Sequence, residues 1–126
     1  MKKIKELTKA EEQVMQILWQ LKEGIVRDML EKMPEPKPAY NTVSTVVRVL
    51  EGKGFIGHKA YGNSHVYYPL ISEDEYKKFT FDKMMTNYFS NSYESLVSFL
   101  VQEKNLSMKE LDEITELAKK LKSSKS

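Results

Sequence analysis

The chain has 126 residues, 40% apolar and 30% charged, with five glycines and four prolines, which suits a folded, largely helical protein of one domain, or of one small domain plus an appended element, and leaves no room for a large enzyme. It contains no cysteine, and this removes disulfides, thiolate catalysis and Cys-based zinc or copper sites together, in keeping with a reducing cytoplasm. The net charge is only +2, so a polyanionic partner would have to be met by a local concentration of cations. The opening MKKIKELTKAEE leads into charges instead of an apolar signal region. No run approaches the roughly 18 apolar residues of a membrane span, and a cytoplasmic protein without membrane insertion is expected.

Thr8-Lys9-Ala10-Glu11 has the spacing of a capping box, in which a hydroxyl and a carboxylate satisfy each other's free amides at a helix start. Val14, Ile17, Leu18 and Leu21 then repeat at helical spacing, joined by Met15 and Trp19, up to Gly24; Trp19 is assigned to the core. A second, shorter helix is predicted over Ile25–Met33, burying Val26, Met29, Leu30 and Met33. The following PEPKPA cannot be helical, because its three prolines lack donors and restrict the residues before them. The next stretch, Tyr40–Gly54, places Val43, Val46, Val47, Val49 and Leu50 in one arc and Asn41, Ser44, Thr45 and Arg48 opposite. A helix with one face for a core and another that is small, hydroxylated and cationic suits the major groove of DNA. Two helices, a break and such a third helix form the order of a helix-turn-helix with a long connection.

After Gly54 the period becomes strand-like. Phe55–Lys59 and Val66–Leu70 flank Ala60–His65, with turn chemistry at Gly62-Asn63, so a β-hairpin wing is expected behind the three helices. From Pro36 to Ile71, Lys37, Arg48, Lys53 and Lys59 stand against Glu51 alone, and the positive field gathers around the third helix. The candidate DNA contacts are therefore Tyr40, Asn41, Thr42, Ser44, Thr45, Arg48 and Lys53, with Lys59, Tyr61, Asn63, Ser64 and His65 from the wing. His58 and His65 are the two histidines; without a third ligand nearby, solvent or phosphate contact is preferred to a metal, and no cofactor is expected.

Residues 72–126 read as three more amphipathic helices. Ser72 caps a helix carrying Phe79, Phe81, Met84, Met85, Tyr88 and Phe89, and Asn91-Ser92 breaks it. Tyr93, Leu96, Val97, Leu100 and Val101 form the stripe of the next. A capping box at Ser107–Glu110 opens the last, with Leu111, Ile114, Leu117, Ala118 and Leu121. These faces exceed what the helices can cover among themselves. A second copy in a twofold dimer is the expected cover, with a folded-back single core as the alternative. The tail from Lys122 is expected to fray. The predicted organisation is a winged-helix domain over 1–71 and a helical dimerisation region over 72–126, mainly α with one hairpin.

The ordered set Leu7-Thr8-Lys9-Ala10-Glu11, Val14-Met15, Leu18-Trp19, Thr42-Val43 with Thr45 and Arg48, Lys53-Gly54-Phe55-Ile56 and Tyr67-Tyr68-Pro69-Leu70 resembles the BlaI/MecI/CopY family of bacterial repressors. Ser95-Leu96-Val97 and Leu106-Ser107 extend the similarity over nearly the whole chain. The resemblance implies a homodimer that binds a dyad-symmetric operator, with the C-terminal helices joining the protomers. In the β-lactam resistance branch it further implies a membrane-bound sensor metalloprotease whose signal leads to cleavage, here aligned with Phe99-Leu100. Glu12 replaces a Trp usual in the resistance repressors, and Ala39-Tyr40 replaces Ser-Pro, which removes a helix cap. The absence of C-terminal cysteines argues against copper sensing. The rival from another class is a winged-helix module that docks a protein through the same polar face, and an enzyme is disfavoured because no phosphate loop, metal spacing or nucleophile–base pair is present.

Overall fold

The computed structural model describes residues 4–124. The elements follow in the order α1 (Lys9–Leu21), α2 (Val26–Glu31), α3 (Tyr40–Gly52), β1 (Ile56–Tyr61), β2 (Ser64–Pro69), α4 (Glu73–Phe89), α5 (Tyr93–Glu103) and α6 (Met108–Ser124). Two compact units result, the first ending at Phe81 and the second beginning at Asp82. The first is a winged helix: three helices, then an antiparallel hairpin.

The capping box forms as its spacing predicts, with the Thr8 amide donating to Glu11 Oε1 at 2.9 Å and the Glu11 amide to Thr8 Oγ1 at 3.2 Å. α1 buries Val14, Met15, Ile17 and Leu18, but it ends at Leu21, with Lys22 at φ 72°, instead of continuing to Gly24. Gly24 has a different task. Its amide donates to the Tyr67 carbonyl at 3.0 Å and its carbonyl accepts from the Tyr67 amide at 2.8 Å, so it pairs with β2 as a one-residue strand. α2 is shorter than the predicted Ile25–Met33, although Met33 remains buried beyond its end. Lys37 accounts for this termination: its ammonium donates to the carbonyls of Leu30, Glu31 and Met33 at 3.2, 2.9 and 2.9 Å, satisfying acceptors that another turn would have used.

α3 starts at Ala39 without a side-chain cap and buries Val43, Val47 and Leu50, with Val46 partly covered. Val49, expected in the core arc, is 43% exposed, because at 100° per residue it lies about 120° from Val43. The helix stops in a Schellman motif: the Gly54 amide donates to the Glu51 carbonyl at 3.0 Å and the Phe55 amide to the Leu50 carbonyl at 3.0 Å. Gly54 takes φ +83° there, a value a side chain would oppose. Leu50 and Phe55 are both fully buried, which completes the apolar contact of the motif and fixes where β1 leaves the helix.

The strands reach further than the sequence suggests, pairing Tyr61 with Ser64 and Ala60 with His65 around a two-residue turn, Gly62-Asn63. Gly62 alone of the two has positive φ, +59°, the pattern of a type II′ turn whose twist matches the strands. Ile56, His58 and Ala60 pair with Pro69, Tyr67 and His65 respectively, and strand alternation puts these six on one face. The first unit then continues past the expected boundary at Ile71 into α4. Tyr76 is buried with its ring 6.1 Å from Trp19 and 5.8 Å from Phe55, and its hydroxyl accepts from the Leu7 amide at 3.0 Å. Trp19 Nε1 donates to the Ile71 carbonyl at 2.9 Å, joining α1 to the start of α4.

In the second unit Ser90 and Asn91 adopt left-handed φ values of 49° and 58°, and α4 ends at Phe89. Ser92 caps α5, and Ser107 with Glu110 caps α6. Met85 is buried and the rings of Phe89 and Phe99 meet edge to face at 5.6 Å. Much apolar surface remains open. Tyr88 and Met108 are 79% and 72% exposed, and Ile114, Leu117 and Leu121 are all more than half exposed. The stripe expected on α5 is only partly covered in this chain, since Val97 and Val101 are 40% and 39% exposed. α6 continues to Ser124, so the tail expected to fray from Lys122 is helical that far; Lys125 and Ser126 lie outside the described residues. Among the described residues no helix is long and apolar enough to cross a membrane.

Candidate nucleic-acid interface

With Val43, Val47 and Leu50 anchored in the core, the outward face of α3 is determined. Asn41, Thr42, Thr45, Arg48 and Val49 are exposed and Ser44 is half-buried. Thr45 Oγ1 donates to the Asn41 carbonyl at 2.9 Å, while Arg48 Nη2 donates to Ser44 Oγ at 3.2 Å and so holds its guanidinium along the helix surface. Beside this face lies a groove of about 670 Å³, lined by Tyr40, Ser44 and Arg48 from α3, Asn63, Ser64 and His65 from the wing, and Arg27 from α2. Residues from three separate stretches of the sequence thus meet in one concavity. Asn41, Thr42, Thr45 and Tyr61 are exposed outside its lining.

The positive field is narrower than the count of cations suggests. Lys37 is held by α2 carbonyls, and Lys59 stands 3.6 Å from Glu23 and 5.5 Å above the Tyr68 ring. Lys53 turns inward, its ammonium 2.7 Å from Glu11 Oε1. Burial works to raise the Glu11 carboxyl, but Lys53 and the Thr8 amide and hydroxyl outweigh it and hold the group below its usual value. Lys53 therefore ties α3 to α1 and does not extend a charge outward. The two arginines of the chain, Arg27 and Arg48, both line the groove. Arg27 is not a candidate from the sequence, because it sits on a short helix outside the basic stretch; that the arginines number only two is the signal that could single it out.

Glu51, His58 and Tyr67 form the inner wall. His58 Nδ1 bonds the Glu51 carboxylate. The His58 ring stacks on that of His65, with centroids 4.3 Å apart and planes 14° from parallel. This arrangement uses the histidines to seat one strand against the next, and among the described residues no group of three or more metal-ligating side chains is present. Burial and the Glu51 carboxylate push the Tyr67 phenol up, partly offset by Arg48, so it stays a neutral hydroxyl at physiological pH.

The sequence profile of the family described as penicillinase repressor matches residues 7–120. The chain belongs to the penicillinase repressor family. Its relatives include the methicillin resistance regulatory protein MecI of Staphylococcus aureus (strain N315), 29% identical over 116 residues that make up 91% of this chain and 94% of that protein. The penicillinase repressor of Bacillus licheniformis is 24% identical over 126 residues, 99% of this chain and 98% of that one. Among solved structures, the DNA binding domain of the repressor BlaI superposes with a TM-score of 0.52 at 28% identity, covering 60% of this chain and 94% of that domain. The monomeric form of Bacillus licheniformis BlaI in complex with the blaP half-operator gives a TM-score of 0.50, with the same identity and coverage. Penicillinase repressors regulate transcription and are not enzymes.

Proposed function

We propose that this repressor binds a dyad-symmetric DNA operator as a cytoplasmic homodimer, each protomer laying α3 in a major groove with the wing tip against the neighbouring backbone. The observation that carries the reading is the meeting of Tyr40, Ser44 and Arg48 with Asn63, Ser64 and His65 around one groove that also takes in Arg27. Arg48 and Arg27 supply charge suited to phosphate and base edges, while the small hydroxylated residues let the helix approach closely. BlaI in complex with a half-operator supports the same use of the fold.

The dimer would form through helices α4–α6, with Phe81, Met84, Tyr88, Phe89, Tyr93, Leu96, Val97, Leu100, Leu111, Ile114, Leu117 and Leu121 as the candidate contact set, while Met85, a candidate by spacing, is already buried in the protomer. The open surface on α5 and α6 supports this assignment. By family likeness the regulated genes belong to β-lactam resistance or a related stress response, and release follows when a membrane sensor metalloprotease triggers cleavage at Phe99-Leu100. Phe99 is exposed in the protomer, and cutting α5 would separate the DNA-binding half from α6, leaving each protomer with monomer affinity.

Mobility shifts on genomic fragments retained by the purified protein test the reading. Arg48→Ala should weaken specific binding by about 1–3 kcal/mol, and affinity should fall steeply with salt. A folded Arg48→Ala protein that binds like wild type, with little salt dependence, would instead favour a protein-docking module. For release, full-length chain alone in derepressed cells exposed to a β-lactam would exclude cleavage.

A further inference from the structure

Val49 is an apolar side chain on a face that is otherwise polar. It is 43% exposed on α3, and helical spacing places it beside Thr45 one turn back and Thr42 one turn further. Gly52, at the next turn forward, has open space around the position its Cβ would take. The Thr45 hydroxyl proton is engaged by the Asn41 carbonyl at 2.9 Å, so that side chain offers outward a methyl group and a weak acceptor but no free donor. Val49 and Thr45, one turn apart, share this part of the helix face, and Arg48, next to Val49 in the chain, holds its guanidinium at Ser44. Val49 leaves 43% of its surface open to solvent, and a solvated helix face gains nothing from a β-branched apolar residue.

The major groove presents one apolar group of matching size, the 5-methyl of thymine. We propose that Val49, supported by Thr45, reads a thymine methyl in the operator and is a specificity-determining residue of this repressor. The inference rests on the operator-binding reading above and adds a base identity to it. The basic neighbour favours nucleic acid as the occupant: an apolar protein patch would gain nothing from Arg48, whereas a thymine lies within a phosphate-lined groove that attracts it. The absence of a side chain at Gly52 leaves the helix end free to approach the base edges.

The test uses the genomic fragment retained by wild-type protein, amplified once with thymidine triphosphate and once with deoxyuridine triphosphate, so that the two duplexes differ only in the methyl groups. Binding of each is measured for the wild type, Val49→Ala and Val49→Thr as full-length proteins. Wild type should bind the thymine duplex about fourfold more tightly per methyl buried. Val49→Ala should bind both duplexes nearly equally, and Val49→Thr, which keeps one methyl in place, should retain part of the preference. Since Val49 is exposed, both variants should keep the wild-type circular dichroism and melting temperature. A Val49→Ala protein that discriminates thymine from uracil as wild type does overturns this inference alone. Failure of wild type to retain any duplex overturns the operator-binding reading, and this inference with it.

Discussion

The two units of this chain are built from similar helices but treat their apolar faces differently. In the first, each element turns its hydrophobic side inward: Met15, Leu18, Met29, Val47, Leu50 and Phe55 are completely buried, and the ends are tied by the Trp19 and Tyr76 hydrogen bonds. In the second, Met85 is buried while α5 contributes no buried residue at all. Since burial of apolar surface is the dominant favourable contribution to folding, the first unit contains its own stabilisation and the second leaves a substantial part unrealised. One is a finished core. The other has the surface of half a core.

Cutting the chain after Phe81 is the most severe way to separate them. The resulting fragment should stay folded yet bind its operator roughly 10² to 10⁴ times more weakly, because the two half-site contacts of the proposed dimer no longer share one frame. Titration by mobility shift beside the full-length protein gives the ratio, and a truncated protein of undiminished affinity would remove the second unit from DNA binding. A fragment ending at Ile71 sharpens the comparison. It lacks Tyr76 and Phe79, and should melt well below the longer one.

Tyr76→Ala probes, in the intact chain, the packing of the start of α4 within the first unit. Loss of the ring packed on Trp19 and Phe55, with the partner of the Leu7 amide, should cost about 3–4 kcal/mol in denaturant unfolding. The equivalent truncation at Tyr88, which is mostly exposed, should leave unfolding of the protomer little changed.

Glu11→Gln comes next, at about 2–3 kcal/mol, since it leaves Lys53 without its carboxylate and weakens the cap at Thr8. The effect carries a pH signature. The Glu11 carboxyl lies below its usual value of 4.5 in the folded protein, so its stabilising contribution is present above that value and is lost as pH falls through the folded value. Wild type should therefore lose stability more steeply than Glu11→Gln on acidification below about pH 4.5. Parallel slopes in urea titrations would show the pair to be unimportant.

The smallest expected effect on the protomer belongs to Ile114→Ser and Leu121→Ser. Both sites are exposed, so stability measured on dissociated protein should move by less than about 0.5 kcal/mol. Sedimentation should nevertheless find the proposed dimer weakened, and unchanged association in both variants would place the interface elsewhere.

Periodicity and capping made most of the fold legible from sequence. Thr8/Glu11 and Ser107/Glu110 marked helix starts correctly because their chemistry is local. The features that were missed depend on distant partners. Gly24 looked like a helix stop and is a strand partner of Tyr67. Tyr76 belonged by position to the C-terminal helices, but its ring packs on Trp19 and Phe55. At the candidate interface, the meeting of Ser44 and Arg48 with Asn63–His65 followed from the winged-helix order, whereas the inward turn of Lys53 required knowing where Glu11 would lie. Val49 lies outside the core for a simpler reason: its angle on the helix, about 120° from Val43, outweighs its apolar character.

The hydrogen bond from Trp19 to the Ile71 carbonyl has a practical consequence. Trp19 is the only tryptophan of the chain, and its indole, partly buried and 6.1 Å from Tyr76, sits where α1 meets the start of α4. Intrinsic fluorescence excited at the red edge of the indole band is therefore an optical gauge placed by nature at this seam. It can follow the release of α4 from α1 without any attached dye, in the same cuvette in which operator is added.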